Sequence, residues 1–207
     1  MLMPIMPQSA FGGGYDAELV YSSDTADVDL FAAAGSPVAA VHILVTVNSG
    51  VDVYGSHKDT PGMDGTGLPV GSVVDLILEG RICGERGTPN SGYGGDALKL
   101  GCETNVSGGG SINGGGGAGG VGHTIATPIY DNDSQITGYS YDYGGAGGYG
   151  EKHDAAATAG GTRAGAGGAF GNAGAAGTGG AGGAPGKAID VNGFPYTNTC
   201  TANGAVS

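Results

Sequence analysis

The chain has 207 residues and a formal net charge of −12, from 7 basic and 19 acidic side chains. That balance leaves no basic stripe for phosphates and excludes nucleic acid as a partner. Glycine supplies 48 residues, phenylalanine 4 and tryptophan none, which excludes an ordinary globular core rich in buried aromatic surface.

Residues 1–36 open on Met1, Leu2, Met3, Pro4, Ile5, Met6 and Pro7, a proline-punctuated apolar arm suited to lying on a partner surface. The acidic stretch Tyr15 to Phe31 follows, and the whole segment reads as an attachment or linking region. No basic segment followed by an apolar core opens the chain, and no run approaches about twenty apolar residues, so neither a secretion signal nor a membrane span is expected.

Residues 37–106 read as a small β domain. Val41, Ile43, Val45 and Val47 alternate with His42, Leu44 and Thr46, and Asn48-Ser49-Gly50 then turns the chain into Val51, Asp52 and Val53, which predicts a β-hairpin. The segment from Ser56 to Pro69 is a loop rich in Gly, Pro, Asp and Thr. A second strand runs from Val73 to Leu78, with Glu79-Gly80 as a turn and Arg81-Ile82 as a short return. The expected product is a small antiparallel sheet with one buried face, too small to stand alone. Cys83, Cys102 and Cys200 match no zinc spacing. Free buried thiols are expected, with a Cys83–Cys102 pair as the alternative.

From Gly84 the chain turns to glycine blocks, and residues 107–190 form the glycine-rich region. Glycine recurs at every third position through Gly165, Gly168, Gly171, Gly174, Gly177, Gly180, Gly183 and Gly186. The regular backbone with that period is the polyproline-II helix, which makes no hydrogen bonds within itself. Its N–H and C=O groups must bond to neighbouring backbones, which the bare glycine face allows. Three packings are open: a collagen-like triple helix, several antiparallel helices of one chain, or a disordered spacer. The single proline in the run, Pro185, disfavours collagen. Gly114, Gly117 and Gly120 keep the phase, as do Gly116, Gly119 and Gly122, and Gly144, Gly147 and Gly150 with Gly145 and Gly148. Blocks with two glycine phases suit the interior of a bundle, and the long run with one suits its flank. The expected fold class is mainly β and irregular with little or no α-helix: a small antiparallel β-sheet base followed by a glycine-rich polyproline-II (polyglycine-II) bundle. Residues 191–207 form a C-terminal tail.

Two insertions separate the glycine blocks. The stretch His123 to Tyr143 carries Tyr130, Asp131, Asp133, Gln135, Tyr139, Tyr141 and Tyr143, and Glu151 to Arg163 carries Lys152, His153, Asp154 and Arg163. Loops on a rigid mount are where recognition sits, and tyrosine among short polar residues is the mix that binding loops favour. All of these but Asp154 and Arg163 are the candidate contacts, and the glycines from Gly165 to Gly186 are the scaffold. The competing reading makes the tyrosines a cover for the bundle.

The succession VTVNSGVDVYGS (Val45 to Ser56), LPVGS (Leu68 to Ser72), VVDLILEGRICG (Val73 to Gly84), GYGGDALKL (Gly92 to Leu100), SGGGSINGGGGAGG (Ser107 to Gly120) and GGAGGAPGKAI (Gly179 to Ile189) resembles the distal glycine-rich domain of bacteriophage tail fibres and tail-tip receptor-binding proteins. It is similar also to the adhesins that cap the long fibres of T-even-type phages. The resemblance implies a virion protein at the distal end of a tail or fibre, with polyglycine-II scaffold and host-range loops. Implied partners are other phage tail proteins, through the N-terminal region, and a host surface receptor, an outer-membrane protein or a glycan. Capping a fibre, forming a homotrimer and attaching to a separate hub are all compatible with it. The chain lacks the baseplate-anchoring region of the long tail-tip proteins, and residues 1–36 match no fibre-capping pattern.

Catalytic signatures are missing. No Gly-Lys-Ser/Thr phosphate loop, GxSxG elbow or HExxH motif occurs, and His42, His57, His123 and His153 read as surface or packing residues. Gly94-Gly95-Asp96 has no tandem copy of a calcium repeat, and Asp131 and Asp133 read as solvated turn residues. No enzyme activity, cofactor or metal is expected. The alternative function is an ice-binding or structural protein, using the face formed by Ala166, Ala169, Asn172, Ala175, Thr178, Ala181 and Ala184.

Overall fold

The computed structural model describes residues 14–90, 92–130 and 134–207. They form two compact units. The first contains the described residues up to Glu85, then Gly95–Gly114 and Lys187–Ser207; the second contains Arg86–Gly94 and Gly115–Gly186.

Strands of the first unit come in successive coils. The first coil holds β1 (Ala17–Tyr21), β2 (Thr25–Ala26) and β3 (Val28–Asp29), followed by the one short helix among the described residues, α1 (Leu30–Ala33). Asp29 caps it, Oδ1 accepting the Phe31 N–H at 2.9 Å. The second coil holds β4 (His42–Val47), β5 (Asp52–Tyr54) and β6 (Met63–Asp64), and the third β7 (Val73–Leu78), β8 (Arg81–Cys83) and β9 (Leu98–Lys99). After β10 (Glu103–Ser107) and β11 (Ser111–Asn113) the chain leaves for the second unit, which contains β12 (Ile125–Tyr130) and β13 (Ile136–Asp142). It returns as β14 (Ile189–Asp190), β15 (Tyr196–Asn198) and β16 (Thr201–Asn203).

Each side of a coil stacks on the same side of the next. The strand orders are β1-β4-β7-β10-β15, β2-β5-β8-β11-β16 and β3-β6-β9-β14, and every pairing in these three sheets is parallel. The unit is therefore a three-sided parallel β-helix. Its core is built of columns in register: Leu19–Val45–Leu76–Val106 on one side, Val53–Ile82–Ile112–Ala202 on the second, Val28–Met63–Leu98–Ile189 on the third. The alternation in β4 and β7 is real, with Ile43, Val45, Val47, Val74, Leu76 and Leu78 buried.

This corrects the expectation of an antiparallel sheet. Asn48-Ser49-Gly50 does not fold the chain back; it turns a corner, and β4 and β5 lie in different sheets. Arg81-Ile82 likewise continues into the second sheet. Alternation shows which face is buried but not which strand lies alongside. The ends of the chain add to the helix too: the segment read as a linking region supplies β1 to β3, and the segment read as a tail supplies β15, β16 and the Val206 bridge to Ile189. The apolar arm from Met1 to Pro7 lies outside the described residues.

The second unit has almost no regular strand besides β12 and β13. Residues 115–122, 144–150, 155–161, 164–170, 172–178 and 180–186 are extended passes joined by backbone hydrogen bonds. Residues 115–122 are central. Gly119 N donates to Gly148 O, Gly120 N to Ala175 O and Ala118 N to Gly92 O, while Gly168 N donates to Gly117 O and Gly183 N to Ala118 O. The bonds recur at intervals of three, as in Gly116, Gly119 and Gly122 donating to Glu151, Gly148 and Gly145. Burial has the same period. Gly165, Gly168, Gly183 and Gly186 are buried, whereas Ala166, Ala169, Asn172, Ala175, Thr178, Ala181 and Ala184 are exposed.

Candidate functional site

Because consecutive passes run in opposite directions, the connections of the second unit fall at two ends. At one end lie the turn at 151–155, the turn at 170–172, and residues 115 and 186, where the chain enters and leaves. At the other lie the hairpin that follows His123 and the turns at 161–164 and 177–180.

The hairpin pairs Ile125 with Asp142, Ala126 with Tyr141, Thr127 with Ser140, Pro128 with Tyr139 and Ile129 with Gly138, then slips at Ile129/Tyr130 so that Tyr130 meets Ile136. Side chains alternate across a strand, so Tyr139, Tyr141 and Tyr143 form one row, with Ala126 and Pro128 beside it. The Tyr141 and Tyr143 rings are stacked with centroids 6.1 Å apart, and Tyr139 and Tyr141 are tilted at 6.4 Å. All three are exposed, Tyr143 at 72%. Tyr130 and Gln135 are exposed near the hairpin tip, while Asp131 and Asp133 lie outside the described residues. Neither strand pairs with any other among the described residues.

Lys152 and His153 are not with the tyrosines. They sit in the tight turn closed by the Lys152–Ala155 bridge, at the other end of the unit. Lys152 Nζ contacts Asp154 Oδ1 at 3.0 Å and, with His153, holds that carboxyl below its ordinary range, the hydrogen bond from Lys152 being the larger cause. His153 is only 12% exposed in its side chain. The candidate residues therefore divide into two sets on opposite ends.

Four residues bind the hairpin base to the unit. His123 N donates to Thr178 Oγ1 at 2.9 Å, Thr178 N donates to Arg163 O at 2.9 Å, and the Arg163 guanidinium contacts Asp142. Sequence spacing carries no signal for this, since 55 residues separate His123 from Thr178. Four of the eight glycines from Gly165 to Gly186 lie close against neighbouring backbone. A Cβ on Gly165 would lie 1.9 Å from Ala175 O, one on Gly168 2.3 Å from Asn172 O, one on Gly174 1.9 Å from Ala118 O and one on Gly177 2.3 Å from Val121 O.

In the first unit an open groove of about 520 Å³ is lined by residues including Asp52, Glu79, Arg81, Ser111 and Thr201. Arg81 is engaged with Asp52, and the Ser111 hydroxyl accepts from Asn113 Nδ2 at 3.1 Å. On the outer face of the first sheet Asp75 Oδ2 accepts from Tyr15 and His42, and its Oδ1 accepts from Asn105. None of the three cysteines forms a disulfide; Cys83 and Cys102 are buried, and burial pushes the Cys102 thiol up. No group of acidic, histidine or cysteine side chains suited to a metal occurs among the described residues.

The crystal structure of the gp37-gp38 adhesin tip complex of the bacteriophage S16 long tail fiber superposes with a TM-score of 0.60 at 19% identity, over 92% of this chain and 82% of that one. At that identity the likeness speaks for the fold. No curated protein sequence matches. Residues 16–206 match the family of phage tail fibre adhesin Gp38. Since that match spans both units, the chain belongs to the phage tail fibre adhesin Gp38 family and is a tail-fibre component of a virion.

Proposed function

We propose that this adhesin stands at the distal end of a tail fibre and recognises a receptor on the host surface through the β12–β13 hairpin. The observation that carries the reading is the exposed row Tyr139–Tyr141–Tyr143 on a hairpin that pairs with no other strand among the described residues, at the end of the unit away from residues 115 and 186. Tyrosine rings offer large contact area at low entropic cost. Tyr130 and Gln135 near the tip extend the surface, and Asp131 and Asp133 are assigned to the same contact from the sequence alone. Lys152 and His153 would require a second contact at the opposite end.

The mount, in this reading, is a bundle of polyglycine-II helices. Its support is the threefold recurrence of the lateral backbone bonds and of the buried glycines. Attachment to other tail-fibre proteins falls, in this reading, to the N-terminal region, whose described part supplies β1, the end strand of the first sheet among the described residues. The gp37-gp38 adhesin tip complex of the S16 long tail fiber supports a fibre-protein partner here, and a homotrimer of this chain stays an open alternative. The exposed Ala and Thr face keeps an ice-binding reading testable by thermal hysteresis, and the family favours the adhesin.

The test replaces Tyr139, Tyr141 and Tyr143 together by Ala in the whole chain. Adsorption of virions to host cells should collapse while amide protection at residues 115–122 stays as in the parent. Unchanged adsorption would refute the assignment.

A further inference from the structure

We propose that Arg163 is a positioning residue: its guanidinium fixes the direction in which the tyrosine hairpin leaves the second unit. The structural half of this stands on geometry alone, and the functional half rests on the receptor reading above.

A two-stranded hairpin with no third strand is marginal in water. Its direction has to be imposed where it joins the unit, and both strands are held there. On entry, the Thr178 hydroxyl accepts the His123 N–H at 2.9 Å. On exit, Arg163 Nη1 donates to Asp142 Oδ2, and Nη2 donates to the Asp142 carbonyl oxygen at 2.7 Å. Two donors of one planar fork on a side chain and a main chain fix an angle as well as a distance. Asp142 is the last residue of the ladder before Tyr143, so the fork acts beside the tyrosine row.

The fork is itself held. Arg163 has φ +56°, a left-handed conformation that a non-glycine residue adopts at a cost. Its carbonyl oxygen accepts from Thr178 N, which ties the arginine to the residue that holds His123. Its side chain is 22% exposed against 67% for Asp142, and its Nε is buried with no acceptor among the described residues. A buried donor left unpaired works against stability. The site gives up stability at Arg163 to set the orientation of Asp142.

The experiment uses the full chain with Arg163→Met, Arg163→Lys and Asp142→Asn. Amide exchange is read at residues 125–142 and 144–150, alongside binding to host cells. Arg163→Met should speed exchange in the hairpin by about tenfold, leave 144–150 unchanged and weaken cell binding in parallel. Lysine keeps a cation for Oδ2 but offers no second planar donor, so Arg163→Lys should fall between. Asp142→Asn keeps the carbonyl contact and should do least. Hairpin exchange unchanged in Arg163→Met overturns the proposal, whatever happens to binding. Faster exchange with binding intact upholds the clamp and instead rejects the hairpin as the receptor contact. Should Arg163→Met unfold the unit, Arg163→Lys decides: hairpin exchange equal to the parent overturns the proposal.

Discussion

A Cβ added to Gly117 would fall 2.0 Å from the carbonyl oxygen of Gly183. The obstructing oxygen is a backbone atom of a neighbouring pass, so no side chain can swing aside. Alanine at Gly117, Gly165 or Gly174, where the same distance is 1.9 to 2.0 Å, should cost about 3 kcal/mol or more and leave the second unit unfolded. Gly180 belongs to the same threefold phase, yet its Cβ would meet only Val121 Cγ1 at 3.9 Å. Gly180→Ala should therefore fold with stability within about 1 kcal/mol of the parent. Amide exchange on the four variants checks this, and equal tolerance at Gly174 and Gly180 would refute it.

Gly180 also marks how far the sequence can be read. A period of three identifies the glycine face because the chain must present bare backbone somewhere, but it cannot say where a neighbouring pass ends. The β-helix was half legible. Buried and exposed positions of β4 and β7 follow from alternation, whereas the column Val45–Leu76–Val106 joins residues about thirty apart, and no local pattern encodes which rung stacks on which. The hairpin tyrosines stood out by composition. Arg163 and Thr178 did not, because their partners Asp142 and His123 become neighbours only when antiparallel passes bring separate turns to one end.

Asp75 makes the first unit acid-sensitive. Burial pushes its carboxyl up, but hydrogen bonds from Asn105, His42 and Tyr15 together outweigh this and hold it below the ordinary carboxylate range. A depressed folded value contributes stability above the unfolded pKa of about 4, and that contribution is lost as pH falls through the folded value. Urea midpoints of the parent should drop below about pH 4. Asp75→Asn should flatten part of that drop, and an identical acid profile in the variant would contradict the assignment.

Asp52 is buried, and Arg81 answers it with two donors, Nε to Oδ1 at 2.8 Å and Nη2 to Oδ2. Removing the arginine leaves the carboxylate short of its main partner, so Arg81→Met should cost roughly 1 to 3 kcal/mol. Restoring neutrality with Asp52→Asn in the Arg81→Met background should recover part of it, since the penalty belongs to the stranded charge. A double variant no more stable than Arg81→Met would show that the loss lies in packing of the arginine stem instead.

Tyr21 sits in register with Val47 and Leu78 in the first sheet. Burial, and after it the Asp29 carboxylate, pushes its phenol from 10.0 up to about 12. The folded chain favours the neutral ring, so this contribution to stability is whole below pH 10 and disappears as pH rises toward 12. Tyr21→Phe keeps the ring in its column and removes the proton. Its alkaline unfolding midpoint should move to higher pH while the midpoint at neutral pH changes by less than about 1 kcal/mol. A midpoint that stays put would mean that another group, such as Tyr15, whose hydrogen bond to Asp75 also raises its pKa, governs alkaline unfolding.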